Sequence, residues 1–173
     1  MNKKDLRNEF RRKIKAVPSD QRSEESQMIA RKLGEVLQDQ EGYWTLYHPL
    51  SDEPNLMDLT QQDSNIKWLF PNVEEEGPLT FAPENSTESV SLEKISGFVI
   101  PALAYDNRGV RLGRGGGYYD RTLAASKGLR IGVVFATSLS PEPLPKEDHD
   151  QLMDMVVSSQ QTLDMRKVSN GYS

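Results

Sequence analysis

Glycines and arginines are concentrated in one short segment of the chain. The glycines are Gly113, Gly115, Gly116 and Gly117, and the arginines are Arg111, Arg114 and Arg121. A glycine backbone adopts positive φ and approaches a ligand closely, so successive N–H groups in such a turn form a concave anion site. Arginine adds permanently charged, forked donors that match phosphate oxygens. The segment therefore predicts a phosphate-binding loop.

This loop follows neither of the two common glycine-rich nucleotide patterns. The GxxxxGK[ST] sequence of Walker A loops is absent, and the glycine spacing only superficially resembles the GxGxxG of dinucleotide folds. Asp120 comes directly after the loop. A carboxylate at this place either holds Mg²⁺ against phosphate oxygens or caps the start of the next helix, and position alone leaves both interpretations open.

The start of the chain predicts a helix that brings further positive charge. Leu6, Phe10 and Ile14 recur every four residues and line one face of it. Lys3 and Arg7 share a different stripe of the same helix, so both charged heads can reach one point in space. A second interpretation is that this lysine- and arginine-rich helix is simply well solvated, and the sequence keeps both open.

The elements around these groups alternate between helices and apolar strands. Helices are expected from the N-cap Asn2 to Pro18, over 19–38, over 55–62 and over 118–126, and strands over 42–49, 66–70, 79–81, 97–104, 129–135 and 155–158. A turn is expected at 74–77. This order predicts an α/β fold: a single three-layer domain over residues 1–173, with a mainly parallel central sheet flanked by helices.

Composition narrows the class of protein. The chain has 173 residues, a net charge of -5 and no cysteine. An acidic balance disfavours general nucleic-acid binding, and no apolar run reaches the roughly 20 residues of a membrane-spanning helix. The charged N-terminus lacks the apolar stretch of a signal peptide. We therefore expect a cytoplasmic protein, monomeric, without nucleic-acid or membrane partners.

Segments spread along the chain match one enzyme family in order. They are KKDLR at 3–7, YHPLSDE at 47–53, FPNV at 70–73, IPALAYD at 100–106, RLGRGGGYYDR at 111–121 and PKEDHD at 145–150. Together they resemble the 5-formyltetrahydrofolate cyclo-ligase family, also called methenyltetrahydrofolate synthetases. The resemblance implies ATP- and Mg²⁺-dependent conversion of 5-formyltetrahydrofolate to 5,10-methenyltetrahydrofolate, with release of ADP and phosphate. Phosphorylation of the formyl oxygen creates the leaving group that N10 displaces.

The resemblance also implies roles for individual residues. The residues implied to contact ATP are Lys3, Arg7, Arg111, Leu112, Gly113, Arg114, Gly115, Gly116, Gly117, Tyr118 and Tyr119. Those implied to contact the reduced folate are His48, Glu53 and Tyr118, and the catalytic residues are Arg114 and Asp120, with Asp120 also the metal ligand. Glu53 as a solvated loop carboxylate and His48 as a packed strand end are the competing interpretations. Asp150 and Asp154 either support the metal or hold the C-terminal loop.

One segment departs from the family. Residues 82–96 lack the G-[IL]-x-EP stretch that the family usually carries near its substrate pocket, so the phosphate end of the site matches while the folate end differs. Two other functions fit the sequence: an ATP-dependent ligase acting on a different carbonyl substrate, and a non-catalytic module that binds folate or a phosphorylated metabolite.

Overall fold

Two β-sheets organise the computed structural model, which describes residues 1–72 and 78–170. The helices are α1 (Lys3–Ala16), α2 (Ser19–Val36), α3 (Tyr118–Ala124) and α4 (Met165–Asn170). The strands are β1 (Glu41–Thr45), β2 (Asn65–Asn72), β3 (Thr80–Ala82), β4 (Ile95–Pro101), β5 (Ala104–Asp106), β6 (Arg111–Leu112), β7 (Leu129–Val133), β8 (Leu139–Ser140), β9 (Met155–Val157) and β10 (Thr162–Asp164). The turn expected at 74–77 lies outside the described residues.

The central sheet has the strand order β10-β9-β7-β4-β1-β2-β3. Strands β9, β7, β4, β1 and β2 run parallel, whereas the edge strands β3 and β10 are antiparallel. The predicted α/β fold with a mainly parallel sheet is confirmed. The chain moves to one side of β1 to form β2 and to the other side to form β4. In open α/β sheets, ligands bind beyond the carboxyl ends of the strands at such a reversal.

Side chains of β4 alternate between two apolar layers. Val99 belongs to the apolar cluster that contains Leu33 of α2. Phe98 and Ile100 face the opposite way and join the cluster that contains Leu123 of α3. Because both faces of the strand are covered, its sequence is apolar almost without interruption. Among the described helices, none has the length and apolar character needed to cross a bilayer.

Helix α1 lies over a smaller sheet of strand order β6-β5-β8. Its first turn is capped by Asn2, whose Oδ1 accepts the Asp5 N–H at 2.8 Å, as predicted. Phe10 and Ile14 are buried in a cluster with Leu112 of β6. Burial of this face points the Lys3 and Arg7 stripe at the segment that follows β6.

Four expected elements differ from those in the structure. The strand expected over 42–49 ends at Thr45, after which Leu46 still donates to the Leu69 carbonyl. The strand expected over 97–104 is two strands in two sheets, because Pro101 has no N–H for a ladder bond and Leu103 donates instead to the Leu112 carbonyl. The strand at 155–158 is not the last, since β10 and α4 follow it. The helix expected over 55–62 is the 3-10 turn Met57–Gln61.

Gly97 of β4 has no room for a side chain. A Cβ at this position would lie 2.2 Å from the Trp44 indole on β1. We expect Gly97→Ala to lower the free energy of unfolding by about 1–3 kcal/mol, the usual cost of overpacking a core. Denaturant unfolding would measure it.

Gly34→Ala is the matched control. Gly34 lies inside α2, and its added Cβ meets only the flexible Gln62 side chain, at 3.3 Å. In a helix this exchange is worth about 0.5–1 kcal/mol of added stability. Equal loss of stability in both variants would contradict the close approach of β4 to Trp44.

Candidate active site

The glycine-rich segment forms a tight loop between β6 and α3. Gly115 has φ +110° and Gly117 has φ +69°, a region that L side chains rarely adopt. Arg7 of α1 donates from Nε to the Gly113 carbonyl at 2.9 Å. The loop conformation therefore needs glycine at these two positions, and α1 lies directly against it.

A cavity of about 330 Å³, which we call the glycine-loop cavity, opens beside this loop. Its lining residues are Lys3, Arg7, Arg111, Leu112, Gly113, Arg114, Gly115, Gly117, Asp120, Glu147, His149 and Asp150. Four cationic side chains and three glycines thus surround a space that also holds three carboxylates. This composition suits a phosphate chain together with a divalent cation.

A second space of about 270 Å³, the aromatic cavity, lies at the carboxyl ends of β1 and β4. Its lining residues are Tyr47, His48, Leu50, Glu53, Pro71, Leu79, Pro101, Arg111, Arg114, Gly116, Gly117, Tyr118 and Tyr119. Rings, prolines and leucines dominate the wall, and one buried carboxylate interrupts it. Such a wall suits a flat heterocycle whose polar edge needs one fixed acceptor.

The two cavities share Arg111, Arg114 and Gly117. Arg111 is held by the end of β4, because its Nε and Nη2 donate to the Pro101 carbonyl at 3.1 and 2.9 Å. Its guanidinium also lies 4.9 Å from the centre of the Tyr119 ring. A ligand in either cavity therefore reaches the same pair of guanidinium groups.

Arg114 is paired with two neighbouring carboxylates from the loop after β1. It forms an ion pair with Asp52, and its Nε and Nη2 lie 3.4 and 3.3 Å from Glu53 Oε2. Burial alone lowers the pKa of Arg114, but the Asp52 hydrogen bond and the Glu53 charge raise it above its ordinary value. Glu53 is 9% exposed, and its Oε1 accepts the Leu50 N–H at 2.9 Å. It is not the solvated loop carboxylate of the competing interpretation.

The far side of the glycine-loop cavity is formed by the loop that ends at residue 150. Lys3 Nζ donates to Asp150 Oδ2 at 2.8 Å and lies 3.5 Å from Glu147 Oε1. Burial raises the pKa of Asp150, but the Glu147 N–H and the Lys3 ammonium outweigh that effect and hold it below its ordinary value. Asp150 is therefore an anion at neutral pH and anchors this loop to α1.

Asp120 lies on the wall of the same cavity. Its Oδ1 accepts the Gln151 N–H at 3.0 Å, while within the described part of the chain its Oδ2 accepts no hydrogen bond. No side chain caps the start of α3, so helix capping does not explain Asp120. A carboxylate oxygen is the ligand type that Mg²⁺ prefers. Asp154 lies outside both cavities and accepts the Arg130 N–H at 2.8 Å.

Aromatic side chains complete the second cavity. His48 stacks on Phe70 with 4.4 Å between ring centres, and its Nε2 lies 3.5 Å from Glu84. His48 thus packs against a strand end and also lines the cavity. Tyr119 has a buried hydroxyl that finds no hydrogen-bond partner among the described residues, and burial raises its pKa. A ligand in this cavity would supply the missing partner.

Every residue singled out from the sequence as an ATP, folate or metal contact lines one of the two cavities. Gly116, Tyr118 and Tyr119 were all expected to contact ATP, but of the two cavities they line only the aromatic one. The glycine-rich pattern did not separate these residues from those of the glycine-loop cavity. Residues 82–96 line neither cavity, and within the described chain Glu84 touches the site only through His48. The sequence analysis did not identify Asp52 as a site residue. Its position next to Glu53 was the feature that could have indicated it.

Comparisons with known proteins point to one enzyme family. A family model described as the 5-formyltetrahydrofolate cyclo-ligase family matches residues 1–159. The mitochondrial 5-formyltetrahydrofolate cyclo-ligase of Arabidopsis thaliana is 35% identical over 144 residues, which are 73% of this chain and 52% of that protein. This chain thus spans about half the length of that relative. The 5-formyltetrahydrofolate cyclo-ligase of Mycoplasma pneumoniae is 25% identical and covered throughout, over 92% of this chain.

The fold has solved counterparts as well. The NMR structure of Aquifex aeolicus 5,10-methenyltetrahydrofolate synthetase superposes with a TM-score of 0.83 at 26% identity. The match covers 96% of this chain and 94% of that one. Because the family model matches nearly the whole sequence, this chain belongs to the 5-formyltetrahydrofolate cyclo-ligase family.

Proposed function

We propose that this protein uses ATP to cyclise 5-formyltetrahydrofolate to 5,10-methenyltetrahydrofolate, with release of ADP and phosphate. The observation that carries the proposal is the shared wall of the two cavities at Arg111, Arg114 and Gly117. A phosphate donor on one side and a flat acceptor on the other would meet at two guanidinium groups. Family membership supports the same assignment.

ATP occupies the glycine-loop cavity in this proposal. Lys3 and Arg7 reach the ATP phosphates from α1. The backbone amides of the glycine loop donate hydrogen bonds to the same phosphates. Arg111 and Arg114 meet the terminal phosphate at the shared wall. Asp120 would hold Mg²⁺, which would neutralise phosphate charge.

The reduced folate occupies the aromatic cavity. The pterin ring presents N–H donors along one edge, and the buried Glu53 carboxylate accepts them. Tyr118 and His48 flank the ring faces, while the unpartnered Tyr119 hydroxyl meets a polar atom of the ligand. The formyl group then points towards Arg111 and Arg114.

The reaction needs alignment more than it needs a protein nucleophile. The formyl oxygen attacks the γ-phosphorus, and the bond from that phosphorus to the bridging oxygen breaks, so ADP leaves. N10 then attacks the formyl carbon and loses its proton to solvent, and the carbon–oxygen bond breaks to release phosphate. Arg114 stabilises charge on the transferred group, and the fixed loop keeps donor and acceptor in line.

The direct test mixes the purified protein with Mg-ATP and 5-formyltetrahydrofolate. We expect absorbance of the methenyl product to rise together with ADP, one for one. Folate binding without ADP release would favour the non-catalytic module. ADP release only with a different formylated or carboxylated substrate would favour the other ligase.

Asp120→Asn removes the charge of the proposed metal ligand and keeps its shape. We expect kcat to fall by about a hundredfold or more, the usual cost of losing a group that stabilises transferred charge. The melting temperature should stay within a few degrees, because only one hydrogen bond to Gln151 is altered. Asp148→Asn, an exposed change in the neighbouring loop, is the control and should keep full activity. Full activity in Asp120→Asn would remove Asp120 from the mechanism.

Glu53→Gln tests the folate side of the site. Loss of a charge-assisted acceptor costs about 1.5–3 kcal/mol, so KM for 5-formyltetrahydrofolate should rise about ten- to a hundredfold. KM for ATP should change by less than about threefold, because Glu53 lines the aromatic cavity and does not line the glycine-loop cavity. Steady-state kinetics with each substrate varied would separate the two effects. An equal rise in both KM values would contradict the assignment.

The proposal extends to a monomer in the cytoplasm that takes only small-molecule ligands. The absence of cysteine supports the compartment, and the acidic net charge of -5 supports the lack of nucleic-acid partners. Light scattering after size exclusion would measure the oligomeric state.

A further inference from the structure

Among the described residues, one edge of the Arg114 guanidinium group is paired with carboxylates and the other edge has no protein partner. Nε and Nη2 are the atoms that face Asp52 and Glu53. Among the described residues, Nη1 donates to no protein group. Arg114 lines both cavities, so the carboxylates fix the group from one side and leave donors for a ligand.

The two carboxylates hold Arg114 unequally. Asp52 Oδ1 accepts one short hydrogen bond from Nη2, whereas Glu53 Oε2 accepts longer bonds from both Nε and Nη2, at 3.4 and 3.3 Å. The Glu53 side chain is nearly buried at 7% exposed and faces the aromatic cavity, while that of Asp52 is 24% exposed and lines neither cavity. Glu53 is thus the partner that a ligand would engage, and Asp52 is the one that remains on Arg114.

We infer that Asp52 is a positioning residue for the phosphoryl-transfer step: it touches neither substrate and acts by orienting the Arg114 guanidinium on the wall between the cavities. This inference rests on the proposed function. It assigns Asp52 a role that is distinct from folate contact by Glu53.

The charge of Asp52 and its orienting role predict opposite effects on turnover when Asp52 is removed. Arg114, Asp52 and Glu53 together carry one net negative charge, which repels phosphate. If Asp52 acted only through its charge, its removal would tighten nucleotide binding and would not slow turnover. If Asp52 orients Arg114, its removal frees a long side chain with many rotamers, and the transition state loses a fixed donor. The sign of the effect on kcat therefore separates the two roles.

The experiment is a double-mutant cycle between Asp52→Asn and Arg114→Lys, with methenyl-product formation as the readout. We expect Asp52→Asn alone to lower kcat about tenfold or more, because a neutral amide oxygen replaces the charged acceptor and holds the guanidinium group less firmly. KM for ATP should stay within about threefold. In the Arg114→Lys background the same change should lower kcat less than about twofold, because the planar fork that Asp52 orients is gone.

Two further variants serve as controls for the double-mutant cycle. Asp58→Asn removes an exposed carboxylate from the next turn of the chain and should match the wild type. Asp52→Glu keeps the charge and should recover part of the lost kcat, and it carries the test if Asp52→Asn melts at a lower temperature. Two outcomes would overturn the inference: unchanged or faster turnover in Asp52→Asn, or an equal loss in both Arg114 backgrounds. A wild type without turnover would instead overturn the proposed function.

Discussion

The hydrogen bonds from Arg111 to the Pro101 carbonyl tie the glycine loop to the end of the central sheet. Pro101 ends β4 at the place where the strand order reverses, so the loop is fixed over the crevice where an open α/β sheet binds ligands. Arg7 of α1 fixes the same loop by donating to the Gly113 carbonyl. With the backbone held on both sides, the guanidinium groups between the cavities need little reorganisation when a ligand arrives.

Local patterns predicted the fold well where one periodicity dominates. The four-residue repeat of Leu6, Phe10 and Ile14 and the capping role of Asn2 correctly gave the first helix and its buried face. The unbroken apolar run of β4 correctly indicated a strand covered on both sides. The break after Pro101 was missed, because an apolar run does not show in which of two sheets its residues pair.

The candidate site was predicted unevenly for a similar reason. Glycine and arginine density identified the loop, since the chemistry lies within one segment. The division between two cavities depends on contacts between distant segments, such as Arg114 with Asp52 and Glu53, 62 and 61 residues away. No spacing rule gives such contacts. The same holds for Tyr119, whose unpartnered hydroxyl became visible only once its surroundings were known.

The bond between Lys3 and Asp150 joins residues 147 positions apart in the sequence. Because part of the glycine-loop cavity is lined by the first turn of α1 and the adjoining part by residues 147–150, a nascent chain acquires the cavity only after most of it has left the ribosome. A nucleotide in that cavity would then bind the finished fold and not its intermediates. Binding of this kind shifts the folding equilibrium in proportion to ligand concentration, so the cellular nucleotide supply would also protect the enzyme from unfolding.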